Sequence, residues 1–400
     1  MSVALHPANA RRAAAAPPSA GEGAATVAHA VEGKDIDAKM AAAVVRDARQ
    51  GGASELSIEQ CTVLGPGQVL AVVDTSCIAT VRICNSVIAS GANGTAQSRP
   101  SEGAQAGSVR ELTLDECGFA PGFLSLADLY RELSGLKSLT FRRSKLEAPP
   151  APGPRGDQRS PVALLARPLA LGYCAHLQRV EIGWCSLGTT GTSAVLQQLH
   201  LAVSSSPAHM CVREIALPGN GAGDACVPSL AQLLCGPVGR TLRVLDLTSN
   251  ELTSTGMDTL ASRLLQGCRQ ALGLHVFRCG FNPMGSAALR GIFLCMSVCE
   301  HMSEVALPGC ELGPEGAPEL ASGVQSVLML RTLDLSQNAI GDAGLAQVFK
   351  VWQGCESPRG SRADRGGSDS YETSSSGYTS SESACRVLTE RSMQTVWHRA

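Results

Sequence analysis

Apolar residues along this chain follow two spacings in turn, first every second residue and then every third or fourth. The clearest copy of this pattern lies in 242–264. Its first half fits L-x-x-L-x-L-x-x-N-x-L, with the marked positions filled by Leu242, Leu245, Leu247, Asn250 and Leu252. A spacing of two predicts a short strand with one buried face. A helical face follows, made of Met257, Leu260, Ala261 and Leu264. Such a unit of strand, turn and helix has an apolar side that it cannot bury alone.

The same eleven-position pattern is found nine more times, so the chain is predicted to be an array of similar units. The fourth position of the ten copies is assigned to Leu56, Val81, Leu112, Leu139, Val180, Ile215, Leu245, Leu274, Val305 and Leu333. The first copies are degenerate, and the last five follow one another at 28 to 31 residues. The eighth copy is assigned to Ala271, Leu274, Val276, Cys279 and Phe281. A period of this length leaves room for a full helix in each unit.

The ninth position of the pattern is polar or small. Stacked asparagine amides at this position are expected to bond from one coil to the next. Cysteines assigned to it are Cys61, Cys117, Cys185, Cys279 and Cys310. A shared position in a repeat favours a role in lining the interior over a metal site. Ser86 and Ser144 also take this position, which makes the stacking of their strands less certain.

These residues resemble the ribonuclease-inhibitor subtype of leucine-rich repeat, over roughly 56–352. The resemblance implies an α/β fold: an open horseshoe-shaped solenoid of about ten repeats, with a concave parallel sheet and convex helices. It is specific for the fold and unspecific for function, because such repeats serve many unrelated binding proteins.

Composition changes along the chain predict its domain organisation. Runs rich in Ala, Pro, Gly or Ser are typical of disorder. The predicted segments are a disordered segment 1–33, a capping helix 34–52, a repeat domain 53–354 with low-complexity inserts near 89–108 and 148–170, and a Ser-rich disordered tail 355–400. The tail leaves room for a short amphipathic helix within 386–397.

Charge and cysteine content limit the environment and the partners. A net charge of −2 gives no electrostatic reason to expect nucleic acid or an anionic membrane as a partner. We find no run of 18 apolar residues and no secretory signal pattern near the start of the sequence. Together with 16 cysteines, this favours a reduced cytoplasmic location, with an association with the cytoskeleton left open.

The partner-binding surface follows from strand geometry. Positions four and six of the pattern point inward, so positions three, five, seven and often eight face the concave side. The candidate partner-binding residues are Arg142, Arg143, Arg179, Trp184, Glu214, Asp246, His275, Phe277, Arg278, Glu304 and Asp334. Exposed aromatic and arginine side chains often anchor protein interfaces.

The motifs that would indicate catalysis are missing. The glycines of 219–223 lack a following Walker lysine, and the sequence contains no GxSxG elbow. Cys295, Cys299 and His301 belong to an apolar packing helix without a second ligand pair at metal-binding spacing. We therefore predict no catalytic residue, no cofactor and no metal site.

The predicted function is a non-enzymatic scaffold or adaptor that binds a protein partner, with the oligomeric state left open. One alternative is a regulator of a small GTPase, because Ran GTPase-activating proteins are built from similar repeats. The acidic tail expected of that family is absent, and a GTP hydrolysis assay with a panel of small GTPases tests the idea. Another alternative is an inhibitor of an enzyme, in which acidic concave residues would contact a basic target.

Overall fold

The computed structural model describes most of the repeat region and two short segments near the end of the chain. The described residues are 28–74, 78–89, 107–120, 133, 135–144, 176–205, 211–355, 385–389 and 392–398. Segment 1–27, most of the two predicted inserts and the first part of the tail lie outside the described residues.

Short strands recur through the described chain, one or two in each unit. The strands are β1 Ala28–Glu32, β2 Asp35–Ile36, β3 Glu55–Glu59, β4 Thr62–Leu64, β5 Thr80–Cys84, β6 Val87–Ala89, β7 Glu111–Asp115, β8 Gly118–Phe119, β9 Ser138–Arg142, β10 Arg179–Gly183, β11 Glu214–Ala216, β12 Val244–Asp246, β13 Val276–Arg278, β14 Glu304–Ala306, β15 Thr332–Asp334, β16 Cys385–Thr389 and β17 Ser392–His398. The main sheet has 13 strands in the order β1-β3-β5-β7-β9-β10-β11-β12-β13-β14-β15-β16-β17. Its pairs are parallel from β1 to β15, and β16 and β17 add antiparallel pairs.

Helices alternate with the strands of the main sheet. Their bounds are α1 Ala38–Gln50, α2 Pro66–Asp74, α3 Gly188–Ser205, α4 Val227–Cys235, α5 Val238–Thr241, α6 Ser254–Gly267, α7 Leu289–Ser297, α8 Ala317–Ser326 and α9 Gly341–Cys355. In the first units a second sheet, of order β2-β4-β6-β8, adds a short strand after each main strand. Parallel strands joined by helices are the arrangement that the sequence predicts.

One continuous apolar core runs from Val31 to Trp352 between the main sheet and the helices. The residues at positions four and six of the pattern are its main contributors. In the seventh unit, for example, Leu245 and Leu247 are each 1% exposed. Because each unit buries its apolar face against its neighbours, the core grows by addition along the array.

The asparagine ladder expected at the ninth position is present in the later units. Asn220 Oδ1 accepts the N–H of Cys185 at 3.2 Å, and Asn250 Oδ1 accepts the N–H of Asn220 at 3.2 Å. Asn282 Oδ1 in turn accepts the N–H of Asn250 at 2.8 Å. Each amide thus satisfies backbone groups of the preceding coil, which fixes the stacking of the strands.

Serine performs the same task in the earlier units. Ser86 Oγ accepts the N–H of Cys61, and Ser144 Oγ accepts the N–H of Cys117, both at 3.1 Å. A hydroxyl has the acceptor that this position requires. The strands next to these serines are therefore stacked, and the departure from Asn at this position does not interrupt the sheet.

Three assignments made from the sequence need correction. β1 lies inside the segment 1–33 that composition assigned to disorder, and it pairs with β3 in register through Val31 and Ile58. Its fourth position is His29, so the apolar pattern is incomplete there. The tail segment assigned to a short helix forms β16 and β17, which pair antiparallel from Cys385 with His398 to Thr389 with Ser392.

The third correction concerns the eighth unit. Phe277 pairs with Leu245 on one side and Val305 on the other, so it occupies the fourth position that was assigned to Leu274. The whole unit is shifted by three residues, and its ninth position is held by Asn282 rather than Cys279. Both registers place apolar residues at the required spacing, which explains the error.

Candidate functional site

The candidate site is the face of the main sheet that points away from the helices, called here the concave face. Along β7, residues 112 and 114 are buried, whereas 111, 113 and 115 are exposed or half-buried. The same alternation holds along β3 and β5. The concave face therefore consists of positions three, five, seven and eight of successive units.

Acidic side chains outnumber basic ones on the concave face. Its carboxylates are Glu32, Glu55, Glu59, Glu111, Asp115, Glu116, Glu181, Glu214, Asp246, Glu304 and Asp334. Its guanidinium groups are Arg82, Arg142, Arg143, Arg179 and Arg278. Since the whole chain has a net charge of only −2, negative charge is concentrated on this surface.

The predicted basic residues of the middle strands are engaged in ion pairs. Arg142 Nε lies 2.5 Å from Glu181 Oε1, and Arg179 Nη2 lies 3.1 Å from Glu181 Oε2 and 3.3 Å from Glu214 Oε1. Hydrogen bonding to Glu181 raises the pKa of Arg142. Arg143 is shared between Asp115, at 2.6 Å, and Glu116, at 2.9 Å. These arginines balance neighbouring acids and do not form a separate basic patch.

The later strands include two carboxylates that form no ion pair within the described part of the chain. Arg278 Nη2 lies 2.8 Å from Glu304 Oε1, which neutralises that pair. Asp246 and Asp334 instead accept one backbone N–H each, from the residues two positions on, at 2.9 Å. Neither forms an ion pair with another described residue. Their half-buried charge is thus open to a cation from outside the chain.

Two aromatic side chains stand at the ends of strands on this face. Trp184 is 47% exposed and Phe281 is 42% exposed, and each occupies position eight of its unit. Both backbones are in the left-handed region, with φ of 54° and 55°. Each ring packs over a glycine of the next unit, Trp184 over Gly219 and Phe281 over Gly309. A Cβ on either glycine would overlap the ring, so glycine is what allows this contact.

Phe277 was wrongly predicted to lie on the concave face. It is 2% exposed and belongs to the core, because the correct register puts it at position four. Phe281 is the aromatic residue of this unit that sequence reasoning missed. The dipeptide Gly280-Phe281 before Asn282 matches Gly183-Trp184 before Cys185, and that match was the available signal.

His275 directly precedes β13 and does not lie in the centre of the face. Its Nδ1 is 2.8 Å from the carbonyl oxygen of Gly273, and its ring centroid is 5.4 Å from that of His301. The same second position is basic in five other units, at Arg110, Lys137, Arg213, Arg243 and Arg331. A basic edge, also missed from the sequence, therefore borders the acidic face.

Among the described residues, no group of three or more His, Cys, Asp or Glu side chains could hold a metal ion. The helices of the described part also include none that is long and apolar enough to cross a membrane.

Comparison with known proteins agrees with this architecture. A family model described as "Leucine Rich repeat" matches residues 240–261 and 328–347. Ribonuclease inhibitor of Sus scrofa is 29% identical over 240 residues, which is 59% of this chain and 47% of the inhibitor. The chain is a leucine-rich repeat protein of the ribonuclease-inhibitor-like type. The predicted α/β solenoid is thereby confirmed.

Other relatives of this leucine-rich repeat protein are much longer. Tonsoku-like protein of Bos taurus is 32% identical over 179 residues, covering 43% of this chain and 13% of that protein. "NACHT, LRR and PYD domains-containing protein 5" of Mus musculus is 26% identical over 242 residues, covering 60% of this chain and 19% of the relative. The chain thus spans less than half the length of these relatives.

Proposed function

We propose that this leucine-rich repeat protein is a non-enzymatic interaction module that binds the basic surface of a protein partner along its concave face. The observation that carries the proposal is the surplus of carboxylates on that face. A surface with one prevailing sign of charge attracts a partner of the opposite sign and orients it during association. The relatives, which are other leucine-rich repeat proteins, support a role in protein interaction in general.

The later strands are the proposed centre of the contact. Asp246 and Asp334 supply carboxylates that form no ion pair among the described residues, and Trp184 and Phe281 supply partly exposed rings near the strand ends. Aromatic anchors surrounded by polar groups are typical of the residues that dominate binding energy. A partner segment that carries Lys or Arg beside an apolar residue would satisfy both features.

The test is proximity labelling in the native cell with three forms of the full chain. One form is wild type, the second carries Trp184→Ala with Phe281→Ala, and the third carries Leu265→Ala. Leu265 is 51% exposed on α6, on the helix side, and serves as the matched control. We expect the double concave variant to lose partners that wild type and the control retain. If the double concave variant keeps its partners and the Leu265→Ala control alone loses them, the proposal is contradicted.

A charge variant separates electrostatic recognition from apolar contact. For a partner identified in this way, Asp246→Asn with Asp334→Asn should weaken binding about tenfold, since exposed charge pairs contribute up to about 1 kcal/mol each. The affinity should also fall as salt is added. An affinity that is unchanged by both the substitutions and the salt would remove the electrostatic part of the proposal.

The similarity to ribonuclease inhibitor supports a narrower version, in which the basic partner is an enzyme that the chain inhibits. The experiment is to assay each recovered partner that has an activity in the presence of saturating chain. Inhibition that disappears with the Asp246→Asn and Asp334→Asn variant supports this version. If every bound enzyme keeps its full activity, the chain binds these partners without inhibiting them, and the narrower version is contradicted.

A further inference from the structure

Two cysteines of neighbouring units meet on the helix side of the solenoid. Cys235 is the last residue of α4, and Cys268 directly follows α6. Their Sγ atoms lie 2.9 Å apart, closer than the about 3.5 to 4.0 Å typical of nonbonded carbon atoms. Gly267 permits this approach, because a Cβ there would lie 3.0 Å from Cys235 Sγ. The contact is therefore part of the way these two units pack.

The thiol pair is accessible from a surface cavity. Both cysteines line a cavity of about 290 Å³ together with Arg240, Arg269 and Gln270. Arg240 Nη1 donates to Gln270 Oε1 at 3.2 Å, which holds one guanidinium group beside the cavity. A small solute can reach half-buried sulfur atoms in such a cavity, and such access is one of the conditions for thiol reactivity.

The two sulfur atoms have different environments. Burial, and then the hydrogen bond with Cys235, raise the pKa of the Cys268 thiol to about 12. Either thiol of the pair can donate its S–H to the other. Because burial disfavours the thiolate of Cys268, we assign Cys268 the role of the resolving thiol and Cys235 that of the sulfur oxidised first.

We propose that Cys235 and Cys268 form a redox modification site at which hydrogen peroxide converts the two thiols into a disulfide between units. The Cys235 thiolate attacks one peroxide oxygen, so that an S–O bond forms and the O–O bond breaks. The departing hydroxide takes up a proton from solvent, equivalent to the one that the Cys235 thiol released on ionising. The products are a sulfenic acid at Cys235 and one water.

Cys268 completes the reaction. Its sulfur attacks the sulfenic sulfur of Cys235, so that the S–S bond forms and the S–O bond breaks. The departing hydroxide leaves with the Cys268 proton as a second water. In total the two thiols lose two electrons and the peroxide is reduced by them to two molecules of water. A thiol reductant reverses the modification.

The test uses the folded full chain treated with hydrogen peroxide, blocked with N-ethylmaleimide and digested with trypsin. We expect mass spectrometry to show peptide 214–240 joined to peptide 264–269, with a mass two hydrogens below the sum. Because 214–240 also contains Cys226, fragmentation must place the link on Cys235. Dithiothreitol should release both peptides.

Matched variants define the assignment. Cys235→Ser should abolish the linked peptide, whereas Cys211→Ser removes another half-buried thiol and should leave the link intact. A link from Cys268 to its neighbour Cys299 would overturn the proposal. So would sulfinic acid at Cys235 with Cys268 still alkylated. The wild-type peptide map decides between these outcomes even if a variant does not fold.

Discussion

At the scale of single residues, the side chain at the ninth position determines how two coils are joined. Asn250 is 0% exposed, and its Oδ1 accepts the N–H groups of Asn220 and Ala222 at 3.2 and 3.4 Å. Its Nδ2 donates to the carbonyl oxygens of Leu217 and Thr248 at 2.7 and 3.1 Å. One amide thus satisfies four buried or partly buried backbone groups. Alanine at this position would leave the N–H groups of Asn220 and Ala222 without that acceptor, whereas the carbonyl oxygens of Leu217 and Thr248 keep bonds from Asn220 Nδ2 at 3.0 Å and from the N–H of Gly219 at 2.9 Å.

We therefore expect Asn250→Ala to lower the free energy of unfolding by about 2 to 4 kcal/mol, since each unsatisfied buried polar group costs about 1 to 3 kcal/mol. Urea denaturation followed by circular dichroism measures the effect. Gln337→Ala is the control, because Gln337 is exposed at position eight and such surface changes usually stay within about 0.5 kcal/mol. Equal stability of the two variants would show that the ladder does not hold the coils together.

At the scale of neighbouring elements, the same junction occurs twice. After β10 the dipeptide Gly183-Trp184 packs on Pro218-Gly219 of the next unit. Three units later, Gly280-Phe281 after β13 packs on Pro308-Gly309 in the same way. In each case a bulky ring needs a glycine beneath it, and a proline ring needs a glycine beside it. The exposed aromatics of the concave face therefore also hold adjacent units in position.

Gly219→Ala tests this junction. Gly219 has φ of +68°, and an added Cβ would overlap the ring of Trp184. Gly188 has φ of +61° and open space around it, so Gly188→Ala carries the backbone cost alone. That cost is about 1 to 2 kcal/mol. We expect Gly219→Ala to destabilise the protein more than Gly188→Ala, and Trp184→Ala to remove the difference. Equal losses in urea denaturation would mean that the ring moves aside freely.

At the scale of the whole molecule, the sequence alone predicted the register of a unit wherever its apolar residues could be assigned to the pattern in only one way. Leu245, Leu247 and Asn250 fit a single register, and the sheet follows from such units. The eighth unit had two acceptable registers three residues apart, and only pairing with both neighbours selects Phe277. The unit of β1 was hidden because His29 takes an apolar position. Ion pairs such as that of Arg179 with Glu214 join different strands, so the sequence of either strand alone could not predict them.

The continuous core also predicts how the molecule unfolds. Cys117 and Cys310 occupy the ninth position in units near opposite ends of the array and are 1% and 0% exposed. Burial raises the pKa of each thiol to about 11. At pH 8 only about one thiol in a thousand is then ionised in the folded chain, and because the thiolate is the reactive form, labelling reports unfolding.

Because one core joins all units, nearest-neighbour contacts couple the two ends, and we expect Cys117 and Cys310 to become labelled at the same urea concentration. Pulse labelling with iodoacetamide across a urea series, read by peptide mass spectrometry, measures both midpoints in one sample. Half-buried Cys211 should react before the transition and serves as the control. Labelling of Cys117 at a clearly lower urea concentration would show that the first units, with their second sheet of short strands, unfold separately. The concave surface would then be held rigid only in its later half, where Asp246 and Asp334 lie.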